Sequence, residues 1–266
     1  MSAFARATAV ESAGAGAWRA EVDASWRTQL GANGGQVAAV VLRAMIGELD
    51  EPEREARSLT CHYLRPPDAG ALRLDVAVER SGRSLSTVSA RVSQGERLCV
   101  LAVGAFARDF EGALDYAGAP PAVPAAADLE RMAPVPVVPI TAHFEMRPAI
   151  GAPLYAGADE SASGGWLRFA EPEPLDAPAL AMFADAWWPS VMPRLTRPAA
   201  LPTIDLTIHF RAPQAAAAVD GEAVLAVFRS STAADGFFEE DGEIWSQDGV
   251  LLAHSRQLAL LVDGGR

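Results

Sequence analysis

Apolar positions along the chain follow two alternating rhythms, one of about 3.6 residues and one of two, and the switches between them mark out its elements. Val37, Val40, Val41, Ala44, Met45 and Leu49 keep the helical period within Gln36–Leu49 over a broad face. A helix apolar around so much of its circumference predicts a surrounding sheet. Gly31 to Gly35 before it reads as a loop, and Trp18–Leu30 as one or two short strands. Past the charged connection Glu51–Glu55, four strands are predicted. Ser58–Leu64 ends at the turn signal Arg65-Pro66-Pro67-Asp68. Leu72, Leu74, Val76 and Val78 alternate with Arg73, Asp75 and Glu79, the mark of a half-buried strand. Leu85–Ser93 follows, and Leu98–Phe106 is apolar on both faces, which predicts a central place in the sheet.

Residues 111–139 are rich in alanine and proline and read as a stiff linker. Beyond them the pattern returns: strands over Ile140–Pro148 and Gly165–Phe169, a helix over Asp176–Trp188, then strands over Thr203–Phe210, Ala223–Phe228, Phe237–Gln247 and Val250–Val262. Letters repeat along with the order. Thr60-Cys61-His62-Tyr63 before Arg65-Pro66 answers Thr207-Ile208-His209-Phe210 before Arg211 and Pro213. Ser93-Gln94-Gly95 answers Ser246-Gln247-Asp248-Gly249. The expected architecture is α+β: a unit over 1–110, the linker 111–139, and a second copy over 140–266.

Asp176 and Pro178 make a helix start, and Leu180, Ala184, Trp187 and Val191 share one face. Asp185 is the only charged residue between Asp176 and Arg194. Pro189 is expected to end the helix one turn later, so the carboxylate sits at its disfavoured negative end. On helical pattern alone Asp185 is off the apolar stripe and faces solvent.

At 266 residues and 50% hydrophobic, the chain can bury one large core or two smaller ones. A net charge of −12 disfavours nucleic acid and anionic membranes as partners. All 22 basic residues are arginine, and Arg65, Arg83 and Arg211 are candidates for gripping phosphates. Cys61 and Cys99 lie in apolar runs and read as buried free thiols, so the cytoplasm is the expected compartment. No apolar run is long enough to span a membrane. The first residues lack a signal-peptide core and are expected to fray. His62, His143, His209 and His254 show no metal-ligand spacing, and neither a metal nor a cofactor is expected. There is no Gly-x-Ser-x-Gly and no phosphate-cradling glycine loop.

A long helix wrapped by antiparallel sheet and duplicated in one chain resembles the double hotdog fold. Gly34-Gly35-Gln36-Val37, His62-Tyr63-Leu64-Arg65-Pro66 and Gly82-Arg83-Ser84 are similar to the first half of type II acyl-CoA thioesterases. Phe144-Glu145-Met146-Arg147-Pro148, Asp185-Ala186-Trp187, Thr203-Ile204-Asp205 and Ser246-Gln247-Asp248-Gly249 are similar to their second half. The resemblance spans nearly the whole chain apart from the linker and the extreme termini. It implies a catalytic set of Asp185, Thr203 and Gln257, with Gln36 and Gly104 at the equivalent places of a first half degenerate for chemistry. It also implies an acyl-CoA substrate, a role in lipid metabolism, and a homodimer or homotetramer.

Thioester hydrolysis needs an activated water, groups that orient it, and donors for the oxyanion. In the reading the resemblance supports, Asp185 is the base and Thr203 and Gln257 position the water; direct attack by Asp185 through an anhydride is the other route. Backbone N–H groups at Gly34 and Gly35 are candidate oxyanion donors. Arg83 is the candidate for coenzyme A phosphates, and Trp187, Trp188, Phe183 and Met182 for an acyl tunnel. Read singly, Thr203 is a β-branched strand residue after a proline and Gln257 an edge-strand polar residue. Strand alternation sends Asp205 towards solvent. The alternative function is a non-catalytic acyl-CoA or acyl-ligand-binding module. A hotdog hydratase would want a histidine five residues after the aspartate, where Ser190 stands.

Overall fold

The computed structural model describes residues 1–212 and 221–263. Asn33 caps the first long helix, Gly34–Leu49, its Oδ1 accepting the Gln36 amide at 3.0 Å. Gly34 and Gly35 therefore belong to the first helical turn and not to the expected loop. Ala17–Val22, Gly70–Ser81, Leu85–Gln94, Arg97–Ala107 and Glu55–Tyr63 lie in that lateral order around the helix, all antiparallel. Each puts its apolar alternates inward, which buries Leu59, Leu74, Val88 and Ala102 against Val41, Ala44 and Met45.

The second half repeats the scheme. Its short helix, Ala177–Phe183, is covered by Thr203–Phe210, Leu251–Leu260, Phe237–Trp245, Val224–Arg229, Ala162–Phe169 and Phe144–Ile150. The two sheets merge where Glu55–Tyr63 pairs antiparallel with Thr203–Phe210. Thr60 lies opposite Thr207, and their hydroxyls meet at 3.0 Å. Those residues are 147 positions apart, the same offset as the sequence repeat, so a local two-fold axis passes between them. Among the described residues one 13-stranded sheet results, with the two helices packed side by side beneath it. This is the double hotdog arrangement.

Several expectations are corrected. The second helix ends at Phe183, not Trp188. Pro189 has no N–H to give the Asp185 carbonyl; the Asn33 side-chain amide fills that place at 2.8 Å, and the chain tightens into a turn. Arg97–Ala107 is an interior strand, yet its outer face is open and Val103 is 52% exposed. The N-terminus does not fray: Ala3–Ala7 is a helix whose Phe4 is buried among Trp26 and Phe169. The linker docks on the second half through Trp166 Nε1 donating to Pro124 O (2.8 Å) and Met132 N donating to Met146 O (2.8 Å). Pro213 of the repeated motif lies outside the described residues. Cys61 and Cys99 are free and buried, and burial pushes the Cys61 thiol up to about 12. Among the described residues no helix is long and apolar enough to cross a membrane, and no three His, Cys, Asp or Glu side chains gather as a metal would require.

Candidate active site

The turn after Phe183 delivers Asp185 to the N-terminus of the other half's helix. Its Oδ2 accepts the Gly35 amide at 2.9 Å and Asn33 Nδ2 at 3.0 Å. Positive charge density at a helix start suits a carboxylate there. Two glycines permit the approach: a Cβ on Gly35 would stand 2.8 Å from the Met182 carbonyl oxygen, and one on Gly34 3.0 Å from Asp185 Oδ2. Tyr63, at the end of its strand, donates its hydroxyl to Gly34 O at 2.8 Å and holds the turn from the far side. Burial raises the Asp185 carboxyl to about 6, against the opposing pull of the Gly35, Gly34 and Asn33 donors. Asp185 is thus turned inward, contrary to its helical-wheel position.

Thr203 opens its strand and Gln257 lies on the neighbouring one, and the register brings them together. Thr203 Oγ1 donates to Gln257 Oε1 at 3.0 Å. Gln257 Nε2 in turn donates to Glu240 Oε1 at 2.5 Å, and the other oxygen of Glu240 accepts the Ser190 amide. Glu240 is 4% exposed. Burial lifts its carboxyl to about 7, opposed by the Ser190 and Gln257 bonds and assisted by the nearby negative charge of Asp185. One cluster therefore holds Thr203, Gln257 and Glu240 in a hydrogen-bonded chain within the electrostatic field of Asp185. Among the described residues no direct hydrogen bond joins Asp185 to Thr203 or Gln257.

Sequence reasoning missed Glu240, Asn33 and Tyr63 as parts of this cluster. A signal for Glu240 was present: Phe238, Glu240, Gly242 and Ile244 alternate along one strand and share its buried face. The Ser58–Leu64 motif carries Tyr63, and an asparagine before a helix is a cap signal; neither letter announces what it touches.

Other expectations fare differently. The Gly35 N–H, and that of Gly34, are already spent on Asp185, so they are not free oxyanion donors. Arg83 is exposed at the hairpin tip beyond Gly70–Ser81. Arg54 donates to Gly82 O at 2.7 Å just past the C-terminal end of the 16-residue helix, whereas Asp185 meets its N-terminus, about 24 Å away. Arg83 is therefore remote from the cluster. Trp187 and Trp188 stack obliquely with ring centroids 4.7 Å apart, and neither buried indole N–H finds a partner among the described residues. Met182 and Phe183 are fully buried, Phe183 against Phe169 with centroids 4.6 Å apart, so they fill the core and do not line a tunnel. Arg65 and Arg211 are exposed, and Asp205 is half-buried between His62 and Leu258 instead of open to solvent.

Comparison with known proteins gives the following. A family model described as the acyl-CoA thioesterase N-terminal domain matches residues 22–107, and one described as the acyl-CoA thioesterase C-terminal domain matches residues 117–261. A conserved protein of unknown function with hot dog fold from Alicyclobacillus acidocaldarius is 29% identical, with a TM-score of 0.89 over 98% of both chains. An acyl-CoA thioesterase II from Mycobacterium marinum is 22% identical, with a TM-score of 0.79 over 100% of this chain and 99% of its own. Among curated proteins there is no match.

Proposed function

The chain belongs to the acyl-CoA thioesterase family, and from that premise we propose that it hydrolyses acyl-CoA thioesters to free acid and coenzyme A with a water activated by Asp185. Thr203 donates its hydroxyl hydrogen bond to Gln257, which leaves the Thr203 oxygen open to accept a hydrogen bond from water. Gln257 spends one Nε2 hydrogen on Glu240 and keeps the second for the water oxygen. Asp185 Oδ2 is occupied by Asn33 and Gly35, and the carboxylate takes the remaining water proton. The hydroxide attacks the thioester carbonyl, the tetrahedral intermediate expels the thiolate, and the Asp185 carboxyl returns its proton to that sulfur. A carboxyl held at about 6 is a stronger base than an ordinary aspartate and remains mostly ionised at neutral pH.

The observation that supports this reading is the bridge that Gln257 makes between Thr203 and buried Glu240, in the field of Asp185. Thr203, Gln257 and Glu240 meet with complementary donors and acceptors. The same reading has the enzyme act on lipid-derived thioesters in the cytoplasm, as a homodimer or homotetramer. Its test is steady release of free thiol from a panel of acyl-CoAs by wild type and Asp185→Asn. Loss of about 10²- to 10⁴-fold in kcat for the variant is expected. Equal rates would remove Asp185 from the mechanism. No rate from either, with acyl-CoA still binding, would leave a non-catalytic acyl-CoA-binding module.

A further inference from the structure

A carboxamide has two ends of nearly equal shape and opposite polarity, so something must decide which way Gln257 points. The Thr203 hydroxyl cannot, because it donates or accepts equally well. The Glu240 carboxyl accepts an N–H at each of its two oxygens and so offers Gln257 an acceptor. Glu240 meets the Nε2 end of Gln257 at 2.5 Å, and the Ser190 backbone amide fixes its other oxygen. Among the described residues no arginine pairs with Glu240, so Ser190 and Gln257 carry its compensation. The first half supplies the contrast. The register that sets Glu240 opposite Gln257 sets Val88 opposite Gly104 there, so the buried acid accompanies the carboxamide and is absent where the carboxamide is absent.

We propose that Glu240 is a positioning residue that locks the Gln257 carboxamide with its nitrogen inward and its oxygen on Thr203, the orientation in which the second N–H reaches the hydrolytic water. The assignment rests on the hydrolase reading above for its catalytic consequence, but the orientation itself does not. Glu240→Gln makes the point sharply. Glutamine presents one acceptor and one donor where glutamate presents two acceptors. If its oxygen takes the Ser190 amide, its nitrogen faces Gln257 and turns that carboxamide over, leaving Thr203 to accept.

The experiment compares wild type, Glu240→Gln, Glu240→Val, Gln257→Ala and the Glu240→Gln/Gln257→Ala double variant. Thiol release from the acyl-CoA panel gives kcat and KM. Nuclear magnetic resonance of side-chain-labelled glutamine, with Gln257→Ala as assignment, reports the Gln257 amide protons without turnover. Glu240→Gln should lower kcat about 10- to 100-fold, the rate equivalent of one charge-assisted hydrogen bond, with KM within about twofold. Added to Gln257→Ala it should lower kcat by no more than about twofold further. In wild type one Gln257 amide proton should be strongly downfield, and in both Glu240 variants it should return to the range of free glutamines. Glu240→Val carries the residue found at the matching place in the first half, so it keeps the test open if the polar variant misfolds. An unchanged Gln257 signal in either folded variant overturns the proposal, as does a loss of kcat that is fully additive with Gln257→Ala. An inactive wild type whose amide signal still shifts on mutation would sink the hydrolase reading and keep the orientation.

Discussion

The two halves of the molecule share a frame and differ in what they place inside it. Thr203, Gln257 and Glu240 of the second half answer to Ala56, Gly104 and Val88 of the first by strand register alone. Gly104 is closely packed, since a Cβ there would stand 3.0 Å from Met45 Sδ and that side chain would have to give way. The helices obey the same rule with the charge exchanged. Asn33 caps one and binds Asp185, nine residues past the Asp176 cap of the other; Asp176 in turn pairs with Arg43, ten residues past Asn33, at 3.5 Å. By this cap-to-cap count Leu42, not Gln36, stands where Asp185 does, and Arg43 is one residue further on. Gln36 donates to Ala7 O and is buried in the first half's own packing. Each cap therefore meets a side chain of the other helix's half, an acid at nine residues past the cap in one case and a base at ten in the other.

That mirror pair gives the largest expected effect. Asp185→Asn should cost the activity described above, while Arg43→Gln, which loses the Asp176 pair and a Thr8 contact of 2.9 Å, should leave kcat within about twofold and lower stability by only about 0.5–1 kcal/mol because the pair is partly exposed. A large kcat loss from Arg43→Gln would mean that the cap contact of the second helix, and not only that of the first, bears on the reaction.

Next in size is the glycine contact that carries the first half to the acid. Gly35→Ala should drive the Met182 carbonyl and the helix start apart and lower kcat about 100-fold, as a misplacement of about 1 Å can. Thermal melting of the same variant separates misplacement from unfolding. Retention of wild-type kcat would show that Asp185 does not depend on that helix start.

Much of this frame is legible in the letters, because period and turn chemistry are local. The helix beginning near Gln36, the strand alternations and the 147-residue offset follow from them. The depth of Asp185 is not local. It depends on Asn33 and Gly35, 152 and 150 residues away, and the helical wheel alone sends it to solvent. The resemblance selected Asp185, Thr203 and Gln257 as residue types; only the register shows that Thr203 and Gln257 touch. Glu240 was hidden by its neighbours, since Glu239-Glu240-Asp241 reads as a solvated acidic run until alternate residues are assigned to opposite faces.

The buried acids make the halves differ in pH response as well. Glu240 rises from its ordinary 4.5 to about 7 on folding, and Asp185 from 3.8 to about 6. Between the unfolded and folded values the native state binds more protons, so stability falls as pH rises from about 4 to about 7. Glu240→Gln removes one of the two groups. Its melting temperature relative to wild type should therefore climb between pH 5 and pH 8, whatever constant offset the lost hydrogen bond adds. A parallel pair of pH curves would mean that Glu240 is not strained by burial in the folded state.

The smallest effect tests the symmetry where it should be intact. Thr60 and Thr207 sit across the local axis, and each hydroxyl is the other's partner at 3.0 Å. Thr60→Val and Thr207→Val should each destabilise by about 0.5–1 kcal/mol, by equal amounts, with kcat unchanged. The double variant should cost less than the sum, because the second substitution removes a hydroxyl already left without its mate. Valine keeps the shape and the strand preference of threonine, so the difference reports the hydrogen bond and little else. Unequal single costs, measured by denaturant unfolding, would show that the divergence seen at Gln257 and Glu240 reaches the seam between the halves.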